Sequence, residues 1–179
     1  MSGRAAGRGL RTPGRAAGAV RPAPRARVRV RAWTKKDTAT GAASPEELES
    51  AALAVAGVAE AAAVPVHDET RGRSAEVYVV LSPGSDDRAI EREIYRVAMP
   101  KNVWIVSALP MNRSGKIARC VLAAISNFTD VGDTTALANP EILNGIRRRV
   151  HAAKLARGET PTQLTREQIE EIRAFGQSE

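Results

Sequence analysis

A single cysteine, Cys120, leaves no partner for an internal disulfide and fits a reducing compartment, read here as the cytoplasm. Two histidines, His67 and His151, and that one thiol do not make a metal site. The longest apolar run, Ala51–Val58, falls far short of the roughly 20 residues that a bilayer-spanning helix needs, so no membrane partner is expected. Acidic residues are nearly missing from the first 43 positions, which hold nine Arg and two Lys against Asp37 alone. Residues 44–179 hold sixteen Lys and Arg against nineteen Asp and Glu. The formal charge of +7 therefore belongs to a basic arm, and the remainder of the chain is mildly acidic.

Residues 1–31 are built from Arg, Gly, Ala and Pro, with almost no large apolar side chain before Val28. Such a segment buries too little surface to offset its ordering entropy, which predicts disorder. Three functional readings compete for it. An Arg-rich, acid-free start is like an organelle transit peptide, although Gly and Pro spoil an amphipathic helix and Ser is scarce. A basic arm could hold nucleic acid through phosphates, although no aromatics are interleaved for stacking. The plainest reading is a solvated tail with no selected role, translated from upstream sequence, and it is preferred to a nucleic-acid partner.

Order is expected from Ser44. Ser44-Pro45-Glu46-Glu47 has the pattern of a capping box with proline at the first helical position, and Leu48, Ala51, Ala52 and Val55 share a face up to Gly57. Val58–Val66 and Glu76–Leu81 read as strands around the polar turn Asp68–Arg73. Asp86–Val97 reads as a helix, Val103–Val106 as a third strand, and Gly115–Ser126 as a further helix. The order α-β-β-α-β-α predicts a small α+β module with a three-stranded sheet, a β-hairpin and flanking helices over residues 44–126. Residues 127–179 follow as a helical extension. Asn139-Pro140-Glu141 is an N-cap signal for a helix to about Ala156, and Thr165–Phe175 is a second helix, the two read as an appended hairpin. Trp104 and Val106 are expected in the core, and Arg119 as a solvated helix residue.

The chemistry sits in Pro110-Met-Asn-Arg-Ser-Gly-Lys-Ile-Ala-Arg119. A lysine directly after a glycine, with a turn before it and an apolar run behind it, is held out on a loop where it can reach a phosphate or carboxylate on another domain. It is not a P-loop: Pro110 stands where that motif needs its first glycine, and Ile117 where it needs the metal-binding Ser or Thr. Taken alone, an exposed lysine starting a helix is the plainer account of Lys116.

The surrounding stretches reverse that. Ser44–Glu49, Gly57–Ala62 with Asp68–Gly72, Tyr78–Gly84, Pro100-Lys101, Leu109-Pro110 and Arg113–Ile117 occur in an order that resembles the small C-terminal domain of the acyl-adenylate-forming enzymes, the family of AMP-forming acyl-CoA synthetases. Gly132-Asp-Thr-Thr-Ala-Leu-Ala-Asn-Pro140 is similar to the tail that follows in acetyl- and propionyl-CoA synthetases. The resemblance implies that Lys116 serves ATP-dependent adenylation of a short-chain carboxylate, with Arg113, Ser114 and Gly115 shaping the loop. It implies ATP, AMP and CoA as ligands only when a large adenylation domain is present, and a lysine acetyltransferase and deacetylase acting on Lys116. Nothing resembling that large domain stands in residues 1–43, and the hinge pattern is eroded there, with Asp37 and Gly41 as its CoA-facing remnants. The expectation is thus a truncated lid domain, inactive alone. The alternative is a stand-alone module that supplies its lysine in trans.

Overall fold

A computed structural model describes residues 43–68 and 72–176. The basic arm, with Asp37 and Gly41, lies outside the described residues. The elements run α1 (Pro45–Leu53), β1 (Val58–Asp68), β2 (Gly72–Leu81), α2 (Asp87–Ala98), β3 (Val103–Ile105), α3 (Arg119–Ser126), a 3-10 turn (Pro140–Ile142), α4 (Leu143–Ala156) and α5 (Arg166–Ala174). The sheet has the order β1-β2-β3, with β1 antiparallel and β3 parallel to the central β2. A hairpin suffices for the first pair. The parallel pair needs a crossover, which α2 provides. The expected α+β class holds.

The strands alternate between two apolar faces, which is why they carry few polar residues. Ala61, Ala63, Ala75, Val77 and Val79 meet α1 and α2 through Leu48, Ala52, Ile90 and Ile94. Ala62, Val64, Tyr78 and Trp104 on the other face meet α3, α4 and α5 through Leu122, Ile125, Ile146, Val150 and Ile172.

Helix boundaries differ from the sequence reading in three places. The capping box at Ser44 and Glu47 forms, but α1 stops at Leu53, before Gly57. Gly57 instead opens β1 at φ +93, and a Cβ there would come within 2.5 Å of the Ile90 side chain, so the position serves a close approach of α2. The helix expected from Gly115 begins only at Arg119, because residues 111–117 form a bridged turn. Asn139 makes no capping bond: its side chain is engaged elsewhere, and Pro140 starts a 3-10 turn ahead of α4. Nor do α4 and α5 stand apart as a hairpin, since each packs chiefly on α3.

A buried polar network ties this extension to the sheet. Glu76, on β2, has no solvent exposure. Its carboxylate accepts from Trp104 Nε1 at 2.7 Å, Ser126 Oγ at 2.8 Å and Asn102 Nδ2 at 2.9 Å. Lys154 of α4, 1% exposed, places Nζ 2.5 Å from Glu76 Oε1 and donates to the Ser126 carbonyl at 2.6 Å. Since the Ser126 hydroxyl proton goes to Glu76, the Tyr78 hydroxyl donates to Ser126 Oγ at 2.7 Å.

Removing one partner of such a pair strands a buried charge. Lys154→Met is expected to cost about 3–5 kcal/mol in urea denaturation, and adding Glu76→Gln to recover part of it. A second expectation concerns alkaline pH. Burial, and next the Glu76 charge, hold the Tyr78 hydroxyl well above its ordinary value, against the lowering effect of the Ser126 bond. Its contribution to stability is whole below about pH 10 and drains away as pH rises through the raised folded value. Denaturation midpoints measured across that range should fall more steeply for the wild type than for Tyr78→Phe.

Candidate functional site

The lysine loop is a small hairpin outside the main sheet. Met111 and Ile117 form an antiparallel bridge, and Ala118 N donates to the Pro110 carbonyl at 2.8 Å. Within it, Asn112 N donates to the Lys116 carbonyl at 2.8 Å, and Gly115 N to the Asn112 carbonyl at 2.9 Å. Gly115 has φ +80, the left-handed geometry that lets a three-residue hairpin loop close with a glycine bulge. A Cβ there would meet nothing, so glycine is required by its backbone angle alone. Arg113, Ser114, Gly115 and Lys116 are all exposed at the tip, while Ala118 at the base is buried.

Three supports fix the base. Met111 N donates to Asn139 Oδ1 and Asn139 Nδ2 donates to the Leu109 carbonyl, each at 2.9 Å. Arg113 N donates to the Ala136 carbonyl at 3.2 Å and Ala138 N to the Met111 carbonyl at 2.8 Å, with a bridge between Asn112 and Leu137. At the far end Arg119, the first residue of α3, grips Glu49 of α1 through Nη2 at 2.7 Å and Nε at 3.2 Å. Glu49 also accepts from Ala63 N of β1 at 3.1 Å. Arg119 is thus a half-buried strut, contrary to its reading as a solvated residue. The two-pronged guanidinium contact needs a carboxylate from an element 70 residues away in sequence, which no local pattern discloses.

The loop therefore presents a cation on a short tip with a braced base, able to meet an anion beyond the surface of its own module. Among the described residues, no group of three His, Cys, Asp or Glu side chains is placed to hold a metal ion. Among them also, no helix is long and apolar enough to cross a membrane.

Residues 47–116 match the model of the AMP-binding enzyme C-terminal domain, a span that runs from the Glu47 capping residue to Lys116 itself. Residues 47–116 thus make up an AMP-binding enzyme C-terminal domain. The acetyl-coenzyme A synthetase of Mycolicibacterium smegmatis is 39% identical over 114 residues, covering 58% of this chain and 12% of that protein. The enzyme of the same name from Rubrobacter xylanophilus is 36% identical over 121 residues, covering 62% of this chain and 19% of its own length. Among solved structures, the Brucella canis acyl-CoA synthetase aligns with TM-score 0.39 and 32% identity, covering 44% of this chain and 16% of that one. The chain thus spans between about an eighth and a fifth of the curated relatives it matches.

Within this C-terminal domain, the Arg119–Glu49 strut joins the lysine loop to α1 and β1. Glu49→Ala would leave both the guanidinium and the Ala63 amide without that carboxylate. It should lower stability by about 1–3 kcal/mol in denaturant titration, with Glu49→Gln recovering part of it through the retained acceptor.

Proposed function

We propose that this domain serves as the movable lid of an AMP-forming short-chain acyl-CoA ligase, with Lys116 as its catalytic cation. The observation that carries the reading is an exposed lysine at the tip of a braced hairpin, at the last matched position of an AMP-binding enzyme C-terminal domain. In adenylation, a carboxylate oxygen attacks the α-phosphorus of ATP and pyrophosphate leaves with the electrons of the broken bond. Two anions must approach, and negative charge accumulates between them. An ammonium that touches both offsets the repulsion and holds the pair in line. The braced base reduces the freedom lost when the lysine engages, and Gly115, Arg113 and Ser114 set how far the tip projects.

The family implies ATP and CoA for the full-length ligase. This chain corresponds to a minor part of such an enzyme, so the reading requires an adenylation core alongside it, supplied in trans where it is a separate polypeptide. The names of the aligned relatives, acetyl-coenzyme A synthetases, favour acetate as the acid, and the Gly132–Pro140 tail leaves propionate as the alternative. The same exposure offers Lys116 to a lysine acetyltransferase and a deacetylase. Acetylation there removes the charge on which the reaction depends.

The test is ATP–pyrophosphate exchange with acetate and with propionate. The purified chain alone should give none. Mixed with an adenylation core of the Mycolicibacterium smegmatis enzyme freed of its own C-terminal domain, it should restore exchange, and Lys116→Ala should lower that by roughly a hundredfold or more. Exchange by the chain alone would overturn the lid reading. Undiminished exchange with Lys116→Ala would remove the lysine from the chemistry.

A further inference from the structure

The feature that the lid reading leaves unexplained is the segment beyond the family match, residues 136–139, lying against the lysine loop. It behaves as an extra strand. Leu137, 6% exposed, is sunk into the core beside α3, and it bridges Asn112. The backbone on either side of it exchanges hydrogen bonds with Arg113 and Met111. At the end of this pairing Pro140 cannot donate, so the next rung could not come from backbone. The half-buried Asn139 side chain takes over: its planar amide presents one acceptor to Met111 N and one donor to the Leu109 carbonyl, both at 2.9 Å. That is the donor–acceptor pair a further strand residue would offer. Among side chains of this length, only an amide carries both functions in one plane. A carboxylate in that place keeps the acceptor and loses the donor.

We infer that Asn139 is a positioning residue for Lys116: through Leu109 and Met111 it fixes the rail from which the hairpin tip projects, and so sets where the lysine ammonium can go. Asn139 lies 23 positions beyond the lysine and outside residues 47–116, so the family-matched segment does not contain its own brace. The extension is thereby part of the lysine apparatus. The inference rests on Lys116 being the acting group, but the placement of the loop can be read without any adenylation.

The test is site-resolved amide hydrogen exchange on the full chain. In the wild type the amides of Asn112, Arg113 and Gly115 are bonded within the loop or to Ala136. Asn139→Ala should speed their exchange by on the order of tenfold more than that of Val77 and Val79 in β2, which report any shared loss of global stability. Asn139→Asp, which keeps the Met111 contact, should fall between. A uniform rise across loop and sheet would make Asn139 merely structural and overturn the inference, as would no change at the loop amides. In the reconstituted exchange reaction Asn139→Ala should lower turnover and leave the KM for ATP in place. Wild-type turnover in that variant, with its loop loosened, would equally overturn it. A wild-type mixture that restores no exchange would instead count against the lid reading, and the amide data would still decide the brace.

Discussion

A carboxylate cut off from water must be met by donors for its lone pairs, and Glu76 is met from four directions. Asn102 precedes β3, Trp104 lies on β3, Ser126 ends α3 and Lys154 belongs to α4. Each of those elements is held at the distance of a hydrogen bond from one point on the central strand. Apolar packing alone would tolerate sliding of α4 over α3, because Val150 and Ile146 meet a broad surface. The ammonium of Lys154 tolerates far less, since moving it leaves two opposite charges unsatisfied in an apolar interior. Asn102 extends the same constraint outward. Its amide also donates to Glu159 at 3.3 Å and accepts from Arg157, whose guanidinium lies over the Trp104 ring.

With α4 seated, the chain that leads into it is placed as well. Residues 127–139 run from the end of α3 to the start of the 3-10 turn, and both ends are fixed. Asn127 closes the first end, accepting from His67 N and donating to the Pro65 carbonyl, each at 2.9 Å, across to β1. Leu137 and Asn139 close the second. The lysine loop thus lies between the sheet-borne α3 and a connection whose route is dictated by the Glu76–Lys154 pair. Order at the exposed tip is thereby tied to charge buried at the other end of α3, around Ser126.

Much of this was legible in the sequence where the signal is local. The capping box read at Ser44 forms, because the residues that satisfy the helix end lie three positions apart, and the structure adds a second at Thr165 with Gln168. The apolar and β-rich runs on either side of the Asp68–Arg73 turn marked the hairpin, and the face of Leu164, Ile169, Ile172 and Phe175 marked the last helix, of which Leu164, Ile172 and Phe175 pack on the core. The lysine motif stood out by order and composition. What escaped were pairings at long range. Arg119 and Lys154 look like ordinary helix cations until Glu49 and Glu76 come to them, and Asn139 before a proline looks like a helix cap. Glu76 sits in a β-rich run where an alternating charge normally faces water; its burial follows only because α4 covers that face. The delayed start of α3 has the same origin. Ile117 has the apolar character of a first helical turn, but it is paired to Met111.

The seating of Lys154 has a practical corollary for dissecting the chain. The family match ends at Lys116, and a boundary drawn there, or at Ser126 where α3 closes, looks reasonable from the motifs. A cut at Lys116 divides two ion pairs and removes α3 from over Tyr78, and a cut at Ser126 divides the Glu76–Lys154 pair and uncovers Leu122 and Ile125, so a stable fragment should be longer than the family signature and reach through Lys154. A crystallisation or binding fragment trimmed to the motif would carry the lysine but neither the brace nor the counter-charge on which its placement depends.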